Sequence, residues 1–247
     1  MNYFPQNTLT SFKTRLAQPL DLKGYWEVGL AEIQYPFTWF NVNEGDLWAK
    51  LTLGGNNLSY NDEAYDPGAS ADITIKSGYY PTIDKLLEYI WGAKRMISRG
   101  DMFKIAHDVL DGRITITIAA GMRVTLSPSL MTLLGFDKTE FTSGKHTGNR
   151  MVDVLQGFYS IYLYCPLVEP RMVGDVRVSL LRIIPIKGKP GNIISKEFQP
   201  IHYVPLLQRQ FQEIEIMLRD DTGKPIPFER GKVVVTLHFR RSSLDPL

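Results

Sequence analysis

Cysteine is nearly absent. Cys165 is the only one in 247 residues, which excludes an intrachain disulfide and fits folding in a reducing compartment. Histidine is scarce too: His107, His146, His202 and His238 stand far apart, with no H-x-H or H-E-x-x-H pair. The local spacing of a zinc or cupin-type metal site is therefore missing. Neither sign of charge dominates, since 28 Lys and Arg against 26 Asp and Glu leave a formal +2. That balance makes no general electrostatic case for nucleic acid, and no specific nucleic-acid site is expected. The basic pairs Lys94-Arg95 and Arg240-Arg241 read as solvated ends rather than phosphate sites. No apolar run nears the roughly 18 residues that span a bilayer, so no membrane span is expected. The longest, "IYLYCPLV" at 161–168, has strand length and contains a proline. The opening "MNYFPQNTLTSF" lacks a basic segment followed by an apolar one, so no secretory signal is expected. The expectation is a soluble, non-secreted chain.

Catalytic motifs are missing as well. There is no G-x-G-x-x-G after a strand, no G-x-x-x-x-G-K-[ST] and no G-x-S-x-G. Cys165 lies in an apolar run, which suits a buried structural thiol better than a nucleophile. Acidic residues gather at Asp62-Glu63-Asp66, beside Asn56, Asn57 and Asn61, and again at Asp220-Asp221. Calcium ligation is conceivable at the first group, but EF-hand spacing is absent and turn chemistry is the plainer reading. No spacing singles out a glycosidase carboxylate pair. Catalytic, cofactor-binding and metal-binding residues are accordingly none, no cofactor is expected, and the protein reads as a non-enzyme. Trp26, Trp39, Phe40, Trp48, Tyr79 and Tyr80 could stack on ligands, but strand aromatics are usually core. Only Trp39-Phe40, following Pro36 at a strand exit, suggests an exposed interface.

Strand signal is what the chain has in quantity. With 44% hydrophobic and 22% charged residues, it is long and apolar enough to bury a sizeable core. In "TLTSFKTRL", Phe12 and Leu16 alternate with Lys13 and Arg15, as on a half-buried edge strand. In "YWEVGLAEIQYP", Trp26, Val28 and Leu30 share one face, while Ile33 and Tyr35 have the opposite parity; a bulge near Ala31 is predicted. Further strands are expected over 47–53, 71–76, 102–109, 113–119, 122–126, 158–165 and 176–184, with Asp111-Gly112 as a hairpin turn. "IEIMLRDDTGKPIPFERGKVVVTLHF", 214–239, reads as two strands joined by a Gly- and Pro-rich connection, with turn chemistry at Asp221-Thr222-Gly223. Ile214, Ile216 and Leu218 alternate in the first. Val233, Val235, Leu237 and Phe239 are expected to point into the core from the second, with His238 on its polar face.

Two helical insertions are predicted, at about 81–97 and 128–135. In the first, Pro81 suits the first turn, and Ile83, Leu86, Leu87 and Ile90 share a face. In the second, Ser127 is the N-cap, Pro128 the first helical residue, Leu130, Leu133 and Leu134 point inward, and Gly135 is the stop. Long loops are expected over 54–70, 137–157 and 185–200. Strands do not alternate regularly with helices, which argues against a parallel α/β sheet. The fold class expected is all-β: an antiparallel two-sheet sandwich, formed by 1–247 as one domain.

Several blocks in order resemble the minor capsid proteins of Polinton (Maverick) elements and related adintoviruses. They are "FPQNTLTSFKTRLAQPLDLKGYWEVGLAEIQYPFTWFNV", "GYYPTIDKLLEYI", "VTLSPSLMTLLGF", "SIYLYCPLVEPRMVGD", and "HYVPLLQRQFQEIEI" leading into the last strands. Together they run from residue 4 to residue 239. The resemblance implies a penton: a single jelly roll without enzymatic activity, forming a homopentamer at the five-fold vertices of an icosahedral virion. It implies contact with a major double jelly-roll capsid protein, and a virion protein made and assembled inside the host cell. The helices and long loops exceed a minimal jelly roll, leaving open an inserted or outward subdomain. The segments 1–8 and 240–247 are candidates for gripping neighbours. The alternative is a lectin-like or receptor-attachment β-sandwich that binds through its loops.

Overall fold

The computed structural model describes residues 4–53, 59–60, 63–64, 70–97, 103–155 and 158–242. Two long strands open the chain, β1 (Ser11–Asp21) and β2 (Trp26–Pro36). Then come β3 (Trp48–Leu53), the two-residue strands β4 (Ser59–Tyr60) and β5 (Glu63–Ala64), β6 (Ser70–Thr74) and helix α1 (Ile83–Ile97). Strands β7 (Phe103–Asp108), β8 (Arg113–Ile118) and β9 (Met122–Leu126), helix α2 (Pro128–Leu133), β10 (Glu140–Phe141) and β11 (Gly144–Thr147) follow. Next are β12 (Ser160–Tyr164), the hairpin β13 (Arg171–Val173) and β14 (Val176–Val178), β15 (Leu180–Pro185), β16 (Ile193–Glu197) and β17 (Tyr203–Pro205). The last two are β18 (Gln210–Arg219) and β19 (Val234–Arg241). Every strand pairing is antiparallel among the described residues.

The chain divides into two compact units, a terminal unit of Met1–Trp39 with Phe158–Leu247 and a central unit of Phe40–Gly157. Both expected helical segments fall in the central unit. The terminal unit has two sheets. One has the order β1-β18-β12-β15; in the other, β2 is flanked by β16 and β17 along one edge and by β19 along the other. Buried side chains come from both sheets, Val28, Leu30, Ile33 and Tyr35 from the second and Ile161, Leu163, Ile184, Ile216 and Leu218 from the first. Phe211 of β18 stacks on Phe239 of β19 at 5.9 Å between centroids, joining the two layers. The chain passes from the first sheet to the second between β1 and β2, and again between β18 and β19. This is an all-β, jelly-roll-like sandwich with both chain ends woven into it.

The bulge lies where the alternation breaks. Thr236 pairs with Glu32, but Leu237 pairs with Leu30, which leaves Ala31 as the extra residue. That single slip lets Val28 and Leu30 on one side of it, and Ile33 and Tyr35 on the other, all reach the interior. β1 is an edge strand with mostly exposed side chains, as its charges suggest.

The segment 214–239 behaves differently from the joined strand pair its sequence suggests. A turn does form: Asp220 Oδ1 accepts from the amides of Thr222 and Lys224 at 2.9 and 2.8 Å, and Arg219 bridges to Pro225. Yet β18 pairs with β1 and β12, while β19 pairs with β2 in the other sheet. The ten-residue reach after the turn carries the chain across the sandwich instead of back along β18. Val235, Leu237 and Phe239 do share the inward face, but they are half-buried, because β19 lies at the edge of its sheet.

The central unit has its own core. Helix α1 contributes Ile83, Leu86, Leu87 and Ile90; its N-cap is Thr82, whose hydroxyl accepts from Lys85 N at 3.3 Å, so Pro81 precedes the helix rather than entering it. Helix α2 begins as expected: Ser127 Oγ accepts from Leu130 N at 3.2 Å and Pro128 follows. Gly135 stops it at φ +79°, where a Cβ would collide with the Arg150 carbonyl oxygen. The Asp111-Gly112 turn joins β7 to β8, with Gly112 at φ +67° and Asp111 Oδ1 accepting from Arg113 N at 2.9 Å. Three expected loops hold short strands: β4 and β5 in 54–70, β10 and β11 in 137–157, β16 in 185–200. The expected strand 176–184 splits into β14 and β15, because Ser179 turns its carbonyl to Cys165 N at 3.0 Å.

These burial differences set mutational costs. Leu163→Ala, at a position fully enclosed between β15 and β18, should lower stability by about 2–5 kcal/mol in urea denaturation. Leu237→Ala should cost less than about 2 kcal/mol, since part of its side chain already meets water.

Candidate functional site

The histidines do not converge. His107 Nδ1 lies 3.3 Å from Asp84 Oδ1, His146 Nε2 lies 2.8 Å from the Thr142 carbonyl, and His238 Nδ1 lies 3.0 Å from the Tyr203 hydroxyl. His202 sits in a cleft of the terminal unit, away from the Tyr203–His238 contact. Among the described residues, no group of three or more His, Cys, Asp or Glu could hold a metal. Asp220 spends its carboxylate on the turn amides, and the Asp62-Glu63-Asp66 side chains lie outside the described residues. No helix among the described residues is long and apolar enough to cross a membrane.

Trp39 is not an interface residue. It is 3% exposed, stacked on Phe37 at 4.1 Å and met edge-on by Phe158 and Phe228. Pro36 ends β2, and the chain then carries the indole back into the interior. Phe40, 44% exposed, is the member of the pair that reaches solvent.

The candidate contact surfaces of the terminal unit are its sheet edges. Leu20 on β1, Ile183 on β15, Ile193 on β16 and Val234 on β19 are exposed large apolar residues, Ile193 at 74%. Edge strands present unpaired backbone donors and acceptors, so apolar side chains there make them natural association surfaces. Charges temper them: Lys13 of β1 pairs with Glu215 at 3.4 Å, and Arg240 of β19 with Glu27 at 2.9 Å.

The first and last described segments, 4–8 and 240–242, are tied down near these edges. Asn7 bonds Lys13 through both backbone groups at 2.9 Å, and Thr8 N donates to the Ser11 carbonyl at 2.8 Å, folding residues 4–8 against β1. At the other end, Arg240 sits 3.6 Å over the Tyr203 ring, and Ser242 N donates to the Tyr25 carbonyl at 2.8 Å. Tyr203 and His238 flank Gly29 in register, and a side chain at Gly29 would meet the His202 carbonyl oxygen at 2.6 Å. Glu27, Gly29, Tyr203, His238 and Arg240 thus form one cross-strand lock, which holds the last strand to the sheet. Sequence reading missed it because its members are far apart in the chain. Residues 243–247 lie outside the described residues.

The site therefore defines an all-β protein whose notable surfaces are sheet edges. No family model matches the chain, and no curated protein matches it in sequence. Among solved structures, the crystal structure of the mavirus penton protein is similar at 12% sequence identity, covering 93% of this chain and 90% of that one with a TM-score of 0.49.

Cys165 is fully buried in the terminal unit, and burial pushes its thiol up to about 11. The folded protein should resist a thiol reagent at pH 8 and react once denatured. A raised thiol pKa gives stability that is complete below the ordinary thiol value and lost as pH rises through about 11. Cys165→Ala should remove that part of the alkaline decline in melting temperature.

Proposed function

We propose that the chain is a structural minor capsid protein, the penton subunit of an icosahedral virion. The observation that carries this reading is where the ordered sequence blocks fall. The first block covers β1 and β2, the fourth opens on β12, and the fifth supplies β17 and β18 before the crossing to β19. The blocks that resemble Polinton and adintovirus minor capsid proteins are thus the strands that build the jelly-roll-like unit. The remaining two supply the start of α1 and the β9–α2 connection of the central unit. In this reading the terminal unit is the single jelly roll and the central unit is an insertion in it.

A five-fold vertex requires one lateral contact repeated around an axis, a heterologous interface closed by rotation. The edges of the terminal unit supply two different faces for such a contact: β1 and β15 end one sheet, and β19 ends the other beside β2. The proposed partners are four further copies of this chain and a major double jelly-roll capsid protein. The role is non-enzymatic and needs no cofactor or specific nucleic-acid site, and the protein is made and assembled inside the host cell. The lectin-like alternative relied on loop aromatics, and the leading pair, Trp39-Phe40, has its indole in the core.

Co-expression with the major capsid protein, followed by imaging of the particles, tests this. Density for this chain is expected at the five-fold vertices as a pentamer. Vertices filled by another chain, with this one elsewhere or unassembled, would refute it.

A further inference from the structure

The terminal unit carries a cluster of positive charge in which cations outnumber acids. Between the outer strands β15 and β16, an open cleft of about 540 Å³ is lined by Arg171, Arg182, Lys196, Phe198 and His202, with Glu197 also on its wall. Arg182 lies opposite Leu163, in the row that continues through Leu163 to Leu218, both fully buried. Its half-buried guanidinium therefore lies at the sandwich rim, facing the cleft. The guanidinium carbon stacks 4.2 Å from the Phe198 ring centroid, and Nη1 is buried with no hydrogen-bond partner among the described residues. Lys196 Nζ lies 5.2 Å from the same centroid. Arg171 Nη2 donates to the Leu181 carbonyl at 3.4 Å, its one polar contact. Among the described residues, none of the three forms an ion pair.

A buried donor without an acceptor is disfavoured, and like charges gathered beside it are disfavoured again. Both effects act on these groups. Burial and then Arg171 lower the Arg182 pKa; burial, then Lys187 and Arg182, lower that of Lys196. An inward-pointing charge on an edge strand also discourages edge-to-edge pairing. One charge would do that; three converging cations with a vacant donor require more.

We propose that this cleft is an oxyanion site that takes a phosphate group, either free or as a phosphate monoester. A carboxylate would offset one of the three charges. A phosphate dianion offsets two and has acceptors enough for Arg182, Lys196 and Arg171 together. Arg182 already covers the Phe198 ring, so the group recognised is the phosphate itself. The site is independent of the capsid reading.

The test is thermal unfolding of the full chain in sodium phosphate against sodium chloride of equal ionic strength and pH. A saturable rise in melting temperature specific to phosphate is expected. Arg182→Met keeps an apolar stem on Phe198 and removes the guanidinium; phosphate affinity should fall at least about tenfold. Without phosphate, this variant should melt at or above the wild-type temperature, since it relieves the repulsion. Lys196→Gln should shift both readouts the same way and serves if Arg182→Met does not fold. Repeating the titration with adenosine monophosphate separates the sources: an equal response supports the monoester, a response to phosphate alone supports the free ion. The absence of a phosphate-specific shift, or an unchanged shift in the folded variants, would overturn the site.

Discussion

Strand β2 is the constraint on which the terminal unit depends. Among the described residues it is paired on both edges over most of its length, to β16 and β17 on one edge and to β19 on the other. Val28, Leu30, Ile33 and Tyr35 are all withdrawn from solvent. Eleven residues with a strict period of two could not bury both pairs on one face. The bulge at Ala31 reconciles the sequence with the sandwich, turning the second half of the strand by one position. Because β19 runs past that bulge without an extra residue, pairing Thr236 with Glu32 and Leu237 with Leu30, the last strand is matched to β2 over some two hundred residues of separation.

That dependence explains what was legible. Alternation reports which face a residue uses, and local chemistry reports turns and caps. The bulge near Ala31, the β7–β8 hairpin and the Ser127-Pro128 helix start could therefore be read from neighbouring residues. Partner choice is a different quantity. β18 and β19 look like a hairpin because they are adjacent and alternating, but burial is gained by pairing with β1, β12 and β2, not with each other. The boundary between the two units has no linker-like stretch and no change of composition to mark it, although the helices and long loops left an inserted subdomain open.

Trp39 shows the same limit at a single residue. An aromatic after a strand-ending proline looks exposed if the chain leaves the sheet there. Here the chain turns inward, and Phe37, Phe158 and Phe228 close around the indole. Two of those three rings come from segments more than one hundred positions away, so no local pattern carries the contact. Ring packing of this kind adds to area burial and favours the enclosed placement.

In "SLLRIIP" Arg182 shares parity with Leu180 and Ile184, so strand alternation places it with them. The register slips at this point: Leu163 pairs with Arg182 and Tyr164 with Leu180, so Leu181 is the extra residue. Leu180 and Leu181 are then both buried, and the alternation resumes with Arg182 in the same row as Ile184, facing in. At Ala31 the slip brings apolar side chains to the core and completes it. At Leu181 the slip adds a second buried leucine, while the pairing of Arg182 with the buried Leu163 keeps its guanidinium at the rim, where packing is satisfied by Phe198 but the hydrogen bonding of Nη1 is not. An aliphatic residue at 182 would pack on Phe198 without the cost of a partly buried guanidinium, since replacing a withdrawn charge with an apolar side chain of similar volume is commonly neutral or stabilising. The unmet Arg182 donor, beside two further cations, departs from that optimum, and the proposed ligand is a physical reason for the departure.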